Sequence, residues 1–270
     1  MSEIFSFHAG TLPLLVSVPH DGRLVPADIA QHMTQAGRDL PDTDWHVAQL
    51  YEFARACGAT MIVARYSRYV VDLNRPADDA PLYAGQPATG LCPTQTFAGD
   101  EIYRAQMNID AGLRIDKYWR PYHDKIATTL AELRRRHGFA LLWDAHSIRS
   151  RVRRLFDGQL PVLNLGTWDE RSCGRAIADA VVAAAQAGPC EAVVNGRFKG
   201  GYITRHHGDP ATGVHAMQLE LAQRAYMDEA TGAWDEGKAS SLRKTLGSLL
   251  ETFVQAAQDA HGAPGEPVRV

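Results

Sequence analysis

The chain has 270 residues, 45% of them hydrophobic and 22% charged, and a formal net charge of -3. That length suits one large α/β domain or two small ones and can bury a core without disulfides or a structural metal, and the interleaved charges leave no footprint for nucleic acid and no polybasic membrane stretch. Four scattered cysteines (Cys57, Cys92, Cys173, Cys190) form no CxxC pair, no signal-peptide pattern opens the chain, and no apolar run approaches the ~20 residues of a membrane span. Together these point to a cytoplasmic protein with reduced thiols.

Strand and helix patterns alternate along the chain, the signature of a mainly parallel sheet covered by helices. Leu14 to Val18 reads as a buried strand ending at Pro19-His20-Asp21-Gly22. A helical pattern with Val47, Leu50, Tyr51 and Ala54 on one face follows, with Gly58 as its stop. Thr60 to Ala64 is expected as a second strand and Tyr69 to Leu73 as a third, joined by a turn tight enough to make them antiparallel neighbours. From Pro76 to Gly99 the composition is that of a long surface loop, a form often used as an active-site lid. A long helix then places Trp119, Tyr122, Ile126, Leu130 and Leu133 on one face and ends near Gly138, with Arg134-Arg135-Arg136 as its solvated end. Phe139 to Trp143 reads as a strand ending at Asp144-Ala145-His146-Ser147. Val162 to Leu165 is another, and an Ala-rich helix covers Arg175 to Gln186. Asn195 to Gly213 reads as a loop, Val214 to Leu221 as a last strand, and helix closes the chain before a loose tail from Gly262. The whole of 1–270 is expected to be one domain.

The polar residues fall at strand ends. His20 follows the first strand, His146 follows Phe139 to Trp143, Asn74 and Arg75 follow Tyr69 to Leu73, and Glu220 lies within the last apolar strand. In open α/β sheets the crevice beyond the carboxyl ends of the strands is where ligands bind. Two histidines, a carboxylate and an open position make a catalytic zinc site. His20 and His146 are assigned as the nitrogen ligands and Asp44 as the carboxylate, with Asp42 (otherwise a helix cap), Asp21 and His46 as rivals. Asp144 points the same way as His146 along an extended chain and is expected to orient it. An acid inside an apolar strand, as Glu220 is, has to be paired, exposed or functional. Arg65, Arg68 and Arg75, with Asn74, suggest an anionic substrate, since guanidinium grips carboxylate bidentately. Ser147 and Ser150 sit in no G-x-S-x-G elbow, and Gly196, Gly200 and Gly201 make no nucleotide-binding fingerprint. His206 and His207 read as exposed loop histidines, His123 as a packed structural one.

Ser17-Val18-Pro19-His20, Asp42-Thr43-Asp44, Asp72-Leu73-Asn74-Arg75-Pro76, Asp144-Ala145-His146-Ser147 and Gln218-Leu219-Glu220-Leu221 occur here in that order. From about Pro13 to Tyr226 the set resembles the N-formylglutamate amidohydrolase family of histidine degradation, itself similar to zinc carboxypeptidases and aspartoacylase. The resemblance implies a three-layer α/β/α, zinc-exopeptidase-like fold with a mixed, mainly parallel sheet. It also implies His20 and His146 as metal ligands, Asn74 and Arg75 as the carboxylate pair, Glu220 as catalytic glutamate and Arg68 as the arginine that polarises the scissile carbonyl. One departure stands out. The relatives carry a glutamate ligand three residues after the first histidine, where this chain has Arg23; the carboxylate must come from elsewhere. The expected reaction is zinc-assisted hydrolysis of N-formylglutamate, with Arg205 or Arg149 as cation for the second carboxylate. Alternatives are another N-acyl amino acid, a small peptide, a different divalent ion, or a non-catalytic binding role.

Overall fold

In chain order the strands are β1 (Phe5–His8), β2 (Leu14–Val18), β3 (Thr60–Ala64), β4 (Ala140–Ile148), β5 (Leu163–Gly166), β6 (Ala192–Val194) and β7 (Val214–Ala222). They form one sheet in the order β1-β3-β2-β4-β7-β5-β6. The four central strands, β3, β2, β4 and β7, run parallel. β1 is antiparallel to β3, and β5 is antiparallel to β7 but parallel to β6. The helices are α1 (Ala27–Ala30), α2 (Gln35–Arg38), α3 (Val47–Leu50), α4 (Glu52–Ala56), α5 (Ala111–Arg114), α6 (Arg120–His137), α7 (Arg175–Ala187), α8 (Tyr202–His207) and α9 (Glu236–His261). This computed structural model describes residues 3–82, 89–104 and 108–262.

Both faces of the sheet are covered, which is why β2 is apolar at every position but Ser17, whose hydroxyl bonds to that of Tyr122 at 3.1 Å. Leu14, Val16 and Val18 share a core with Trp143, Leu219 and residues of α3, α4, α7 and α9. Leu15, Ile62, Leu142 and Ala216 face the opposite way, against Tyr122, Ile126 and Leu130 of α6. Each fully buried aliphatic side chain contributes about 1.5–3 kcal/mol to this sandwich. The result is the three-layer α/β arrangement with a mixed, mostly parallel sheet. No helix among the described residues is long and apolar enough to cross a membrane.

Several elements differ from the sequence reading. Tyr69 to Leu73 is buried but is no strand: the flanks of β3 are taken by β1 and β2. Its carbonyls are satisfied by side chains instead, Tyr69 O by the Tyr103 hydroxyl at 2.6 Å and Val70 O by Arg114 at 2.9 Å. β4 runs on through Asp144, Ala145 and His146 to Ile148, because it pairs with β7 over its whole length while Trp143 and Ala145 stay in the apolar core. The helical pattern after His46 is two short helices, and Gly58, at φ +90°, stops the second. β1 and β6, three or four residues each, lie at the sheet edges and went unread. The segment expected as a loop from Asn195 to Gly213 contains α8 and a 3-10 turn, Pro210–Thr212. No helix or strand forms among the described residues between 76 and 99; the rest of that predicted loop, 83–88, and the tail beyond Gly262 lie outside the described residues.

Candidate active site

Strand alternation builds the site. Residues two apart share a face, so Ala140, Leu142, Asp144 and His146 project together from β4, and Ala216, Gln218 and Glu220 from its neighbour β7. Asp144 is in register with Gln218 and His146 with Glu220. One face therefore changes from apolar to polar at the carboxyl ends of the two central strands. β2 ends beside them and its chain crosses to β3 on the other side, so the strand order switches direction at the point where a crevice opens. His20 follows β2, and Asp44 is brought against it by the bond from its own N–H to His20 O at 3.0 Å.

His20, Asp44 and His146 converge, all buried, and could hold a metal ion. Nδ1 of His146 lies 3.0 Å and Nδ1 of His20 3.8 Å from Asp44 Oδ2. The far nitrogens meet carboxylates: His20 Nε2 is 2.8 Å from Asp72 Oδ1 and His146 Nε2 is 3.0 Å from Asp144 Oδ2. With those protons on Nε2, both rings turn an Nδ1 lone pair toward Asp44, the arrangement in which outer carboxylates fix and enrich metal-binding imidazoles. His20 Nδ1 is moreover a buried nitrogen with no hydrogen-bond partner among the described residues, an orphan that a cation would satisfy. The donor set of two nitrogens and one carboxylate oxygen suits zinc. Burial, helped by Arg68, lowers the His20 pKa against the pull of Asp72 and Asp44. For His146 burial also works downward, but Asp144 and Asp44 outweigh it and hold the pKa well above the ordinary value.

The rival ligands have other partners. Asp42 accepts from the Tyr69 hydroxyl and the Phe97 N–H, at 2.6 and 2.8 Å. Asp21 Oδ2 accepts the Ala48 N–H at the start of α3, at 2.9 Å. His46, with φ +65°, points Nε2 at Gly232 O. Arg65 pairs with Glu3 at the surface, 3.5 Å away. Ser147 Oγ bonds to the Tyr226 hydroxyl and Ser150 to Glu229, so neither serine is poised as a nucleophile.

Above the histidines and Asp44 lies a cavity of about 70 Å³, walled also by Glu220, Arg68, Arg75 and Arg197. Burial pushes Glu220 up to about 8, with Asp44 and Asp144 adding to the rise and His146 and Arg68 opposing it. Arg68 is buried, its Nη2 2.6 Å from Asp72 Oδ2, its guanidinium over the Phe97 ring and its Nη1 3.8 Å from Asp44 Oδ1. Asn74 lines the cavity but ties it together: its Oδ1 accepts the Ile203 N–H at 2.8 Å, and its Nδ2 lies 3.0 Å from His146 Nε2. Arg75 lines the cavity with its Nε on Thr89 O at 2.7 Å. Arg205 does not reach this wall; it donates to Gly200 O and Leu82 O. Arg149 borders a larger neighbouring cavity of about 380 Å³, divided from the first by Phe97, Ser147 and Ile148. His207, expected as an exposed loop residue, sits on α8 and bonds at 3.0 Å to His123, whose Nε2 donates to Leu73 O.

Three contributors escaped the sequence reading. Asp72 carried the same signal as Glu220, an acid in an apolar run. Gln218, two residues before Glu220, accepts the Gly201 N–H at 2.6 Å. Arg197 offered no local pattern at all; only the fold carries its loop to the cavity.

A family model described as N-formylglutamate amidohydrolase matches residues 12–227. The chain belongs to that family. Curated proteins named N-formylglutamate deformylase are similar along nearly the whole length: one from Pseudomonas aeruginosa is 50% identical over 262 residues, and one from Pseudomonas putida 46% identical over 259. In each case the match covers 94% of this chain and 97% of the relative. Among solved structures, an N-formylglutamate amidohydrolase from Ralstonia eutropha JMP134 superposes with a TM-score of 0.80 at 25% identity, covering 96% of this chain and 99% of that one. An Agrobacterium tumefaciens gene product shares the fold, with a TM-score of 0.72 at 17% identity over 96% of this chain and 95% of that one.

Proposed function

We propose that this amidohydrolase cleaves N-formyl-L-glutamate to formate and L-glutamate with one zinc ion held by His20, Asp44 and His146. The observation that carries the reading is a single cavity that gathers the three metal-type donors, a buried carboxylate in register with His146, and three arginines. Bound there, zinc would acidify a water and stabilise negative charge on the amide oxygen. Glu220, whose burial raises its proton affinity, takes a proton from the attacking water and delivers it to the departing amine. Arg68, held rigid by Asp72 and Phe97, faces the carbonyl oxygen and favours its charged form. Asp72 and Asp144 keep the two imidazoles in the required tautomer. Arg75 holds a carboxylate and so fixes the amide over the metal donors. Asn74 supports that placement by tying the backbone beside Arg75 to α8, its Oδ1 accepting the Ile203 N–H.

The product chemistry fits a place in histidine degradation, and the four free cysteines suit the reducing cytoplasm. The test is formate release from N-formyl-L-glutamate beside N-formyl-L-aspartate, with free glutamate release from N-acetyl-L-glutamate, on zinc-loaded protein. Turnover of the first compound at least tenfold above the other two is expected. Faster turnover of the acetyl compound would move the activity to a general deacylase.

A further inference from the structure

An N-formylglutamate substrate carries two carboxylates, yet the cation expected for the second is not at the cavity: Arg205 is directed to Gly200 O and Leu82 O, and Arg149 borders the adjoining cavity. Arg197 is. It leaves the sheet after β6, which stands three strands from β4 in the order β4-β7-β5-β6, or roughly 14 Å at ~4.8 Å per strand. From there its side chain returns to line the same wall as His20, His146 and Glu220.

We infer that Arg197 is the specificity residue that binds the side-chain carboxylate of the substrate. The α-carboxylate is separated from the amide nitrogen by a single carbon, so it stays close to the metal donors, where Arg75 follows Asn74. The side-chain carboxylate lies two methylenes further out and needs a cation that enters from farther along the sheet. Arg197 does so on a fixed support. Asn195, in the left-handed region at φ +49°, donates its N–H to Leu165 O at 2.8 Å and exchanges two side-chain bonds with Thr167, each 2.9 Å. Asparagine is among the few residues that adopt that conformation readily. Past the arginine, Lys199 O accepts the Trp168 N–H at 2.6 Å, and the Gly201 N–H binds Gln218 at 2.6 Å. The guanidinium lies 5.5 Å from the Phe198 ring centroid, and its Nε donates to Leu155 O at 2.9 Å. A support tied down at both ends loses little freedom on binding, so the charge contact is retained as affinity.

This assignment rests on the deformylase reading, so the test separates the two. Zinc-loaded parent, Arg197→Gln and Arg197→Lys proteins are assayed for formate release from N-formyl-L-glutamate and from N-formyl-L-glutamine, in which an amide replaces only the side-chain carboxylate. The same pairs are titrated by calorimetry. For Arg197→Gln, kcat/KM on N-formylglutamate is expected to fall about 10- to 100-fold, mainly through KM, the range for a lost hydrogen bond between charged groups. N-formylglutamine is expected to change less than threefold, so the preference collapses. Arg197→Lys restores part of it, keeping charge without the fork. An equal fall for both compounds, or an unchanged preference in turnover and binding, overturns the assignment. A parent that binds N-formylglutamate in preference to N-formylglutamine but releases no formate overturns the hydrolase reading, and the calorimetric preference of the variants still decides the role of Arg197.

Discussion

Replacing Asp72 by asparagine keeps the shape of the side chain and removes its charge. Asp72 is 0% exposed and accepts from three donors: His20 Nε2 at 2.8 Å, Arg68 Nη2 at 2.6 Å and the Asn74 N–H at 2.9 Å. Burial alone would raise its pKa, but Arg68 and His20 together hold it well below the ordinary value. An asparagine presents one acceptor oxygen and one NH2 group, so either the His20 Nε2–H or the Arg68 guanidinium meets a donor. Removing one partner of a buried pair costs about 3–5 kcal/mol, and Asp44 Oδ1, 3.8 Å from Arg68, recovers a fraction. We therefore expect a loss near 3 kcal/mol in metal-free protein, read as a lower urea midpoint at unchanged slope. The His20 tautomer is also released, and loss of such an outer carboxylate weakens metal binding about 10- to 100-fold. At fixed excess zinc a 30-fold loss removes a further ~2 kcal/mol through linkage. Competition of Asp72→Asn with a chromophoric chelator measures that affinity directly. A variant with zinc affinity within twofold of the parent and an unchanged urea midpoint would refute the argument that Asp72 orients His20 and balances Arg68.

Metal-free Glu220→Gln is expected to be more stable than the metal-free parent at pH 8 and equal to it near pH 4.5. The folded pKa is raised from 4.5 to about 8, so the contribution of the protonated acid is full below the unfolded value and is lost as pH rises toward the folded one. The difference is a few kcal/mol at most, and parallel urea curves at the two pH values measure it. Gly201→Ala should lower kcat/KM at least tenfold with little change in zinc binding, because a Cβ there would collide with the Asn74 side chain and shift the neighbouring Arg75, neither of which is a metal donor; formate assays beside zinc competition check this. Asp44→Asn should weaken zinc binding by at least 100-fold, since the anionic donor of the set is lost; dialysis followed by metal analysis reads it.

The fold was legible where periodicity and burial agree. Leu14–Val18 and Thr60–Ala64 were read correctly because central strands are apolar on both faces, and α6 because its apolar stripe is long and capped by Gly138 at φ +84°. Tyr69 to Leu73 misled because its composition is that of a strand, while Arg114 and Tyr103, more than thirty residues away, take its carbonyls. In sequence β4 reads as ending at Trp143 only because one face turns polar there, and that polarity is the site itself. His20, Asp44 and His146 could be proposed from position and resemblance, and the structure brings those three together. Asp44 is preferred over Asp42 already from its place near a helix start; what no local pattern contains is that Tyr69 and Phe97 engage Asp42. Arg205 was a natural candidate cation in a glycine-rich segment; α8 turns it away, and Arg197 eight residues earlier lines the cavity.

The most direct test of the metal-dependent reading is a zinc titration of chelator-stripped protein, followed by the rate of formate release from N-formyl-L-glutamate. The account predicts negligible release from stripped protein, a linear rise with added zinc, and a break at one zinc per chain that disappears in His20→Ala and His146→Ala. Full activity in protein shown by elemental analysis to contain no metal would contradict it.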